Sequence, residues 1–331
     1  MSNGQVYSTE TPAETYDREH RTRRELVPGA FAEYTYQNSR NLTVVAGLRA
    51  DRHNLYDWQV TPRFNLKYDA TQNSIFRLSA GRGWRVANPI ADNAYLLAST
   101  RTFVIGNSLR PETAWNMGGS TLRCGAARQC SWPDYYDTAF GNQVVAGMYT
   151  APQFVLINNL GPGSRSFARS VQAELQVEPV KDLQVEDTYK YLDVRTTYGN
   201  ELLSKPLIPS HHAFLNLCYA STFDKRRADF PVRWFSQRPL GHLGNDTAHQ
   251  HAAGQNSAVY YAPGYAALNT QITRAFKRLE VYAGAENLTN YRQPNPIESA
   301  AFPFSPTFDA AMVRGPVYGR LTYVGIRYRV E

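Results

Sequence analysis

The sequence predicts an all-β protein, an antiparallel transmembrane β-barrel of about 13 strands, and three observations favour this fold. Apolar and polar side chains alternate along many segments, the connections between these segments alternate in length, and tyrosine is abundant. The 331-residue chain has 22 tyrosines, and its charged fraction of 19% is below the roughly 25% of an average soluble domain. This composition excludes a disordered chain, a collagen and a disulfide-rich scaffold.

Period-two alternation is clearest in residues 58–68. Phe64 and Leu66 fall on one face of an extended chain there, and Arg63 and Lys67 fall on the other. No segment has a comparable helical periodicity. The same alternation predicts strands at 27–37, 41–52, 57–68, 73–83, 112–122, 134–157, 165–178, 181–197, 208–221, 228–238, 265–276, 279–290 and 318–330.

The connections between the predicted strands indicate which environment the two faces meet. Short connections such as 69–72 and 277–278 separate long ones such as 84–111, 237–264 and 291–317. Outer-membrane barrels have short periplasmic turns and long extracellular loops. We therefore expect the apolar face to meet lipid, the tyrosines to lie near the headgroups, and the polar face to line the lumen, where its charges pair with one another.

Other features of the chain are less informative. It begins MSNGQVYS, which has neither the basic nor the apolar region of a signal peptide, so no signal peptide is recognised in this chain. Cys124, Cys130 and Cys218 have the spacing of neither a zinc site nor a disulfide framework. The formal net charge is +7, but no DNA- or RNA-binding motif accompanies it, so we expect no nucleic-acid partner.

Several segments resemble the barrel of TonB-dependent outer-membrane receptors, of the kind common in Bacteroidetes. Residues 281–297, VYAGAENLTNYRQPNPI, are similar to a signature near the last hairpin of these receptors, and residues 315–331, GPVYGRLTYVGIRYRVE, are similar to their final strand. Residues 79–93, 101–118 and 202–217 are also similar to stretches of that barrel. The resemblance extends from about residue 27 to the C-terminus, but residues 122–134 depart from the alternating strand of the family.

The resemblance implies a receptor in the outer membrane of a Gram-negative bacterium that takes up a scarce nutrient, such as a metal chelate, cobalamin or an oligosaccharide. In that family the TonB complex of the inner membrane drives import through a plug domain inside the barrel. The implied partners are outer-membrane lipid, a small nutrient ligand and, through the plug, the TonB complex. No cofactor is implied.

The expected domain organisation is a loop or disordered segment at 1–26, followed by the C-terminal part of a receptor barrel at 27–331, without a plug domain. The predicted chain begins outside, ends in the periplasm and so has an odd number of strands, whereas complete bacterial barrels have even numbers. An open sheet edge in lipid would leave backbone groups unpaired. We therefore expect a fragment of a receptor, with Met1 as an internal start.

Two other function classes are alternatives to the receptor. A passive, porin-like outer-membrane channel is the alternative to the receptor. A soluble β-rich enzyme would need a histidine, a carboxylate and a nucleophile in one constellation, and the sequence offers none, so we expect no catalytic residues and no enzyme.

Candidate binding residues lie in the long loops. His249 and His251 alternate along one loop and are candidate metal ligands, although no cysteine and no acidic residue besides Asp246 is close in sequence, and ordinary loop residues are the alternative interpretation. The candidates for a ligand-binding rim are the aromatic residues Trp84, Tyr95, Tyr260, Tyr261 and Phe304.

Overall fold

The structure is a computed structural model that describes residues 5–7, 24–38, 40–106, 109–125, 129–147, 154–241 and 260–330. The side chains of 5–7, 241 and 260 are outside this description. Two 3-10 helices cover Ala91–Leu97 and Thr222–Asp224. The strands are β1 (Gln5–Tyr7), β2 (Gly29–Gln37), β3 (Leu42–His53), β4 (Asp57–Thr71), β5 (Ser74–Arg85), β6 (Thr102–Ile105), β7 (Glu112–Cys124), β8 (Cys130–Gly141), β9 (Val144–Gly147), β10 (Phe154–Asn159), β11 (Ser166–Val180), β12 (Leu183–Tyr198), β13 (Glu201–Ser204), β14 (His211–Ala220), β15 (Arg226–Phe235), β16 (Arg238–Gly241), β17 (Tyr260–Ala262), β18 (Tyr265–Leu268), β19 (Thr270–Ala275), β20 (Leu279–Glu286) and β21 (Leu321–Tyr328).

One large antiparallel sheet forms a wall. Its strands follow the order β2-β3-β4-β5-β7-β8-β11-β12-β14-β15-β19-β20-β21, and β13 and β18 pair with β12 and β15. The 13 strands of this path correspond to the 13 predicted from alternation. Among the described strands, β2 and β21 are the two edges of the wall.

The predicted sixth strand, 134–157, is correct only in its first part. The wall strand β8 ends at Gly141, and the rest of the predicted segment contributes β9 and β10 to a different sheet. Asn142 has a φ of 52°, a left-handed conformation that interrupts extended backbone. Alternation did not reveal this break because the residues after it are also apolar and extended.

The interpretation of the cysteines also needs correction, because Cys124 and Cys130 form a disulfide. They lie opposite each other where β7 and β8 pair, with Cα atoms 4.1 Å apart. The sequence did not predict this disulfide because a spacing of six residues does not by itself indicate a hairpin turn between the two cysteines. The hairpin that departs from the family pattern is thus present, and its strands continue to the two cysteines.

The wall has the two faces that alternation predicts. In the register of β4, β5 and β7, Phe64 lies opposite Ala80, which in turn lies opposite Met117, and the two large side chains are 41% and 55% exposed. On the other face charged residues pair: Arg49 lies 2.8 Å from Asp51, and Lys67 lies 2.9 Å from Asp69. The exposed apolar face and the paired polar face are those expected of a barrel wall.

A second sheet, with the order β1-β6-β10-β9, lies outside the wall path. It includes residues 5–7, which fall within the segment expected to be a loop.

Long connections before β7, β11, β18 and β21 contribute to one apolar cluster that we call the loop core. Its buried members are Leu96, Phe103, Ile105, Val155, Ile157, Leu240, Ala262, Ala311 and Met312.

Helices contribute little to the fold. Across the described ranges, no helix has both the length and the apolar character required to cross a bilayer.

Candidate functional site

A column of aromatic rings lies where the long connections meet the wall. The His212 ring stacks on Phe235 with centroids 4.4 Å apart, Phe235 lies 5.2 Å from Tyr265, and Tyr265 stacks on Tyr291 at 4.7 Å. The register explains the first two contacts, because His212 lies opposite Phe235, and Phe235 lies opposite Tyr265. Strands β14, β15 and β18 therefore position three rings, and the β20–β21 loop adds the fourth.

Two arginines lie against this aromatic column. The Arg238 guanidinium carbon is 5.5 Å from the Phe235 ring centroid and 5.7 Å from that of Tyr265, distances of cation–π contacts. Arg238 Nη1 and the Tyr265 hydroxyl both donate to the backbone carbonyl of Arg314, at 3.5 and 3.4 Å. Arg238 is only 6% exposed, and Arg314 is half-buried.

Among the described residues, no acid balances the charges of the two arginines. Among the described residues, neither arginine forms an ion pair, and Arg238 Nε, Arg238 Nη2 and Arg314 Nη2 are buried without a hydrogen-bond partner. Burial, together with the charge of Arg238, lowers the pKa of Arg314 to about 10. Burying an uncompensated charge is costly, so these side chains form an environment suited to an anion.

The bend of the chain at Arg314 is held by Gln293, which is buried. The Gln293 Oε1 atom accepts hydrogen bonds from the backbone N–H groups of Arg314 and Gly315, both at 2.8 Å. Its Nε2 atom donates to the carbonyl of Met312 at 2.8 Å, and Arg314 Nη1 donates to the same carbonyl at 2.8 Å. These bonds fix the Arg314 side chain beside the column rather than in solvent.

The comparison with known proteins identifies the family. Residues 2–288 match the family model described as TonB dependent receptor-like, beta-barrel. The chain belongs to this family of TonB-dependent receptors. The family consists of outer-membrane transporters of Gram-negative bacteria, so the resemblance seen in the sequence is confirmed.

Solved TonB-dependent receptors have a similar fold. The siderophore receptor PirA from Acinetobacter baumannii has a TM-score of 0.66 and 12% identity, covering 92% of this chain and 46% of its own. A mutant of the ferric enterobactin receptor PfeA from Pseudomonas aeruginosa gives 0.64 and 17%, covering 92% and 45%. The copper transporter OprC gives 0.63 and 13%, covering 91% and 47%. This chain thus spans about half the length of the receptors it resembles, and no curated protein matches it.

Three of the rim residues predicted from the sequence lie on different elements of this TonB-dependent receptor. Trp84 lies near the end of β5, with its ring edge-on to His53 at 5.9 Å. Tyr95 lies in the first 3-10 helix, where burial raises its pKa and the charge of Arg101 opposes that shift. Phe304 is 97% exposed on the β20–β21 loop.

Tyr261, another predicted rim residue, lies in the same strand pair as Arg238. It is opposite Pro239, the residue after Arg238, in the β16–β17 pair. Tyr260 belongs to the same strand, but its side chain is not described. His249 and His251 lie outside the described residues, and the described residues contain no cluster of three or more His, Cys, Asp or Glu side chains that could hold a metal.

Sequence reasoning missed Arg238, Arg314, Tyr265 and Tyr291. Arg238 is the last residue of a predicted strand, and nothing in its neighbourhood distinguishes it from other arginines at strand ends. Arg314 lies in a connection that alternation does not describe. The distinguishing signal is the lack of an acid within reach of either arginine among the described residues, and this is a property of the folded chain.

Proposed function

We propose that this chain is the barrel part of an outer-membrane receptor that imports a small nutrient with energy from the TonB complex, and that the nutrient is a metal chelate. The observation that carries this proposal is the site of aromatic rings and unpaired guanidinium groups at the end of the wall where the long loops gather. Long loops are extracellular in outer-membrane barrels, so the site lies where a ligand from outside arrives first.

Three facts support a metal chelate over the other nutrients. Two of the similar receptors are named for siderophores or ferric enterobactin, and a third is named a copper transporter. Metal chelates commonly carry negative oxygen ligands, which suit the two arginines. A neutral oligosaccharide would leave both guanidinium charges uncompensated.

The remaining parts of the receptor follow from the same proposal. Residues 27–331 form the C-terminal part of the barrel in this proposal. In the intact receptor a plug domain transmits the TonB interaction, and the exposed apolar face of the wall contacts outer-membrane lipid. The similar receptors are about twice as long as this chain, which leaves room for such a domain.

The experiment is a transport assay with the intact receptor gene in a host that lacks its own iron receptors, with and without a functional TonB complex. Radioactive iron is supplied as ferric citrate or as a catecholate chelate, and radioactive copper, cobalamin and maltohexaose are supplied separately. We expect TonB-dependent accumulation of at least one metal. Uptake that does not require the TonB complex would instead indicate the passive channel, and uptake of only cobalamin or maltohexaose would exclude a metal chelate.

A further inference from the structure

We propose that Arg238 and Arg314 form an oxyanion site, which holds a carboxylate, phosphate or similar oxygen-bearing group of the ligand. This inference rests on the proposed receptor function and adds to it the chemical group that the receptor recognises and the residues that recognise it. It is carried by the geometry of the two guanidinium groups.

The two arginines differ from Arg101 and Arg227, which are also buried or half-buried. Arg101 pairs with Asp309, and Arg227 lies 3.2 Å from Glu280. Each of those guanidinium groups thus has a carboxylate within contact distance. Arg238 and Arg314 instead lie near each other's charge, and among the described residues the acceptors of their hydrogen bonds are backbone carbonyls. A carboxylate or phosphate from outside the chain would supply the missing negative charge.

The free atoms of Arg238 match the shape of an oxyanion. Its Nη1 atom donates to the carbonyl of Arg314, whereas Nε and Nη2 have no hydrogen-bond partner within the described ranges. These two atoms form one edge of the planar guanidinium group, with two parallel N–H bonds. Two oxygen atoms of one carboxylate or phosphate accept such a pair of bonds side by side. Arg314 Nη2 supplies a further free donor in the same cluster.

The surroundings of the site increase the strength of such bonds. The rings of Phe235 and Tyr265 pack against the buried Arg238 guanidinium group, and Tyr291 stacks on Tyr265. Hydrogen bonds to a charged group are stronger in an environment of low polarity. The same rings prevent water from stabilising the guanidinium charges, so the site without an oxyanion is destabilised.

Access to the site depends on the β20–β21 loop. The free nitrogen atoms of Arg238 are buried, and the carbonyl of Arg314, which belongs to that loop, lies over the other end of the guanidinium group. An oxyanion therefore reaches Arg238 when the loop moves, and Arg314 moves with it. The 3.5 Å contact between Nη1 and the carbonyl is long for a hydrogen bond, so breaking it costs little.

The test measures binding rather than transport, by titration calorimetry on the full chain in detergent. The probes are citrate and inorganic phosphate, with maltohexaose as a neutral control. The variants are Arg238→Gln and Arg314→Gln, and Arg292→Gln is the matched control because Arg292 is an exposed arginine of the same loop. We expect each site variant to weaken binding about tenfold or more, and Arg292→Gln to leave it unchanged. Arg238→Lys should also bind weakly, because lysine lacks the two-pronged edge.

The outcomes distinguish the sources of the oxyanion. Tighter binding of citrate indicates a carboxylate ligand, and tighter binding of phosphate indicates a phosphate ligand. If neither anion binds the unmodified chain, or if Arg238→Gln binds as well as the unmodified chain, the inference is overturned.

Thermal unfolding provides a second measurement that does not depend on affinity. In a buffer without oxyanions, Arg238→Gln removes a buried uncompensated charge and should raise the Tm. Citrate should raise the Tm of the unmodified chain but not that of the variant. An arginine with a purely structural role would give the opposite result, with a lower Tm in the variant and the same response to citrate in both.

The two proposals can fail separately. Oxyanion binding through Arg238 without TonB-dependent uptake of any metal would contradict the proposed function and retain the site. Uptake of a metal chelate that is unaffected by Arg238→Gln and Arg314→Gln would retain the function and exclude this site.

Discussion

Arg101 and Asp309 lie 208 residues apart in the chain and form a buried ion pair that joins the β5–β7 connection to the β20–β21 loop. Asp309 also accepts a hydrogen bond from the backbone N–H of Ala311 at 2.8 Å, and its backbone pairs with Ser99 and Glu298 as isolated bridges. Burial raises the pKa of Asp309 and lowers that of Arg101. Because Ala311 belongs to the loop core, this pair connects the core to the loop that carries Arg314.

Removing one partner of this pair should open the loops. Asp309→Ala removes the carboxylate that contacts the buried Arg101 guanidinium group, and we expect a loss of up to about 3–5 kcal/mol of local stability. The double variant Arg101→Met/Asp309→Leu removes both charges and should recover most of that loss. Hydrogen exchange of the backbone amides of β6 and β10 measures the effect. Equal protection in Asp309→Ala and the unmodified chain would show that the pair does not hold the loops together.

The two faces of the wall should respond differently to an added charge. Ala173 lies in the middle of β11 on the exposed apolar face, opposite Pro133 and Tyr189, and its neighbour Gln172 lies on the polar face. If the apolar face meets lipid, Ala173→Arg costs about 2–4 kcal/mol of unfolding free energy. Gln172→Arg, the matched control, should cost less than about 1 kcal/mol. Urea unfolding in lipid vesicles measures both, and a larger loss in Gln172→Arg would reverse the assignment of the faces.

Glu280 organises the charges near the start of β20. Its carboxylate is buried and lies 3.2 Å from Arg227, 3.0 Å from Arg327 and 3.1 Å from Arg329. Glu280→Gln leaves three like charges around a neutral group, so we expect a loss of about 1–3 kcal/mol. Glu286→Gln is the control, because Glu286 is an exposed glutamate of the same strand.

The measurement for Glu280 is urea unfolding in detergent. Adding Arg227→Gln to the Glu280→Gln variant removes one of the repelling charges and should restore part of the lost stability. If the double variant is as unstable as the sum of the two single variants, the three arginines do not interact through Glu280.

Oxyanion binding should weaken at high pH. The pKa of Arg314 is lowered to about 10 by burial and by Arg238, so Arg314 is charged below this pH and neutral above it. Citrate affinity should therefore fall as the pH rises through about 10, and binding in this range should take up protons, because the anion favours charged arginine. Calorimetry in buffers of different ionisation enthalpy measures both effects. The Arg314→Gln variant should lose this pH dependence, and an unchanged dependence would assign it to another group.

The lowered pKa of Arg314 also makes the free energy of unfolding depend on pH. Between a pH of about 10 and the higher pKa of an ordinary arginine, the unfolded chain binds a proton at Arg314 that the folded chain does not. Stability therefore rises with pH in this window through Arg314, in contrast to anion binding, which falls.

The strands of the wall were predictable because alternation is a local property of an extended chain. In 58–68 and 165–178, for example, every second side chain lies on the same face of the strand, independently of the tertiary structure. The resemblance to TonB-dependent receptors added the family, which the comparison confirms. The break at Asn142 escaped prediction because both sides of it are extended.

By itself, the sequence determined the fold class, the 13 wall strands and the family of this protein. Only the tertiary structure decided that Cys124 and Cys130 pair, that four connections share one core, and that Arg238 and Arg314, 76 residues apart, meet at the aromatic column. These features depend on which distant segments come together, and on which charges then have no acid within reach. Loop residues carry no periodic signal of such contacts, because each is set by burial and packing against residues far along the chain.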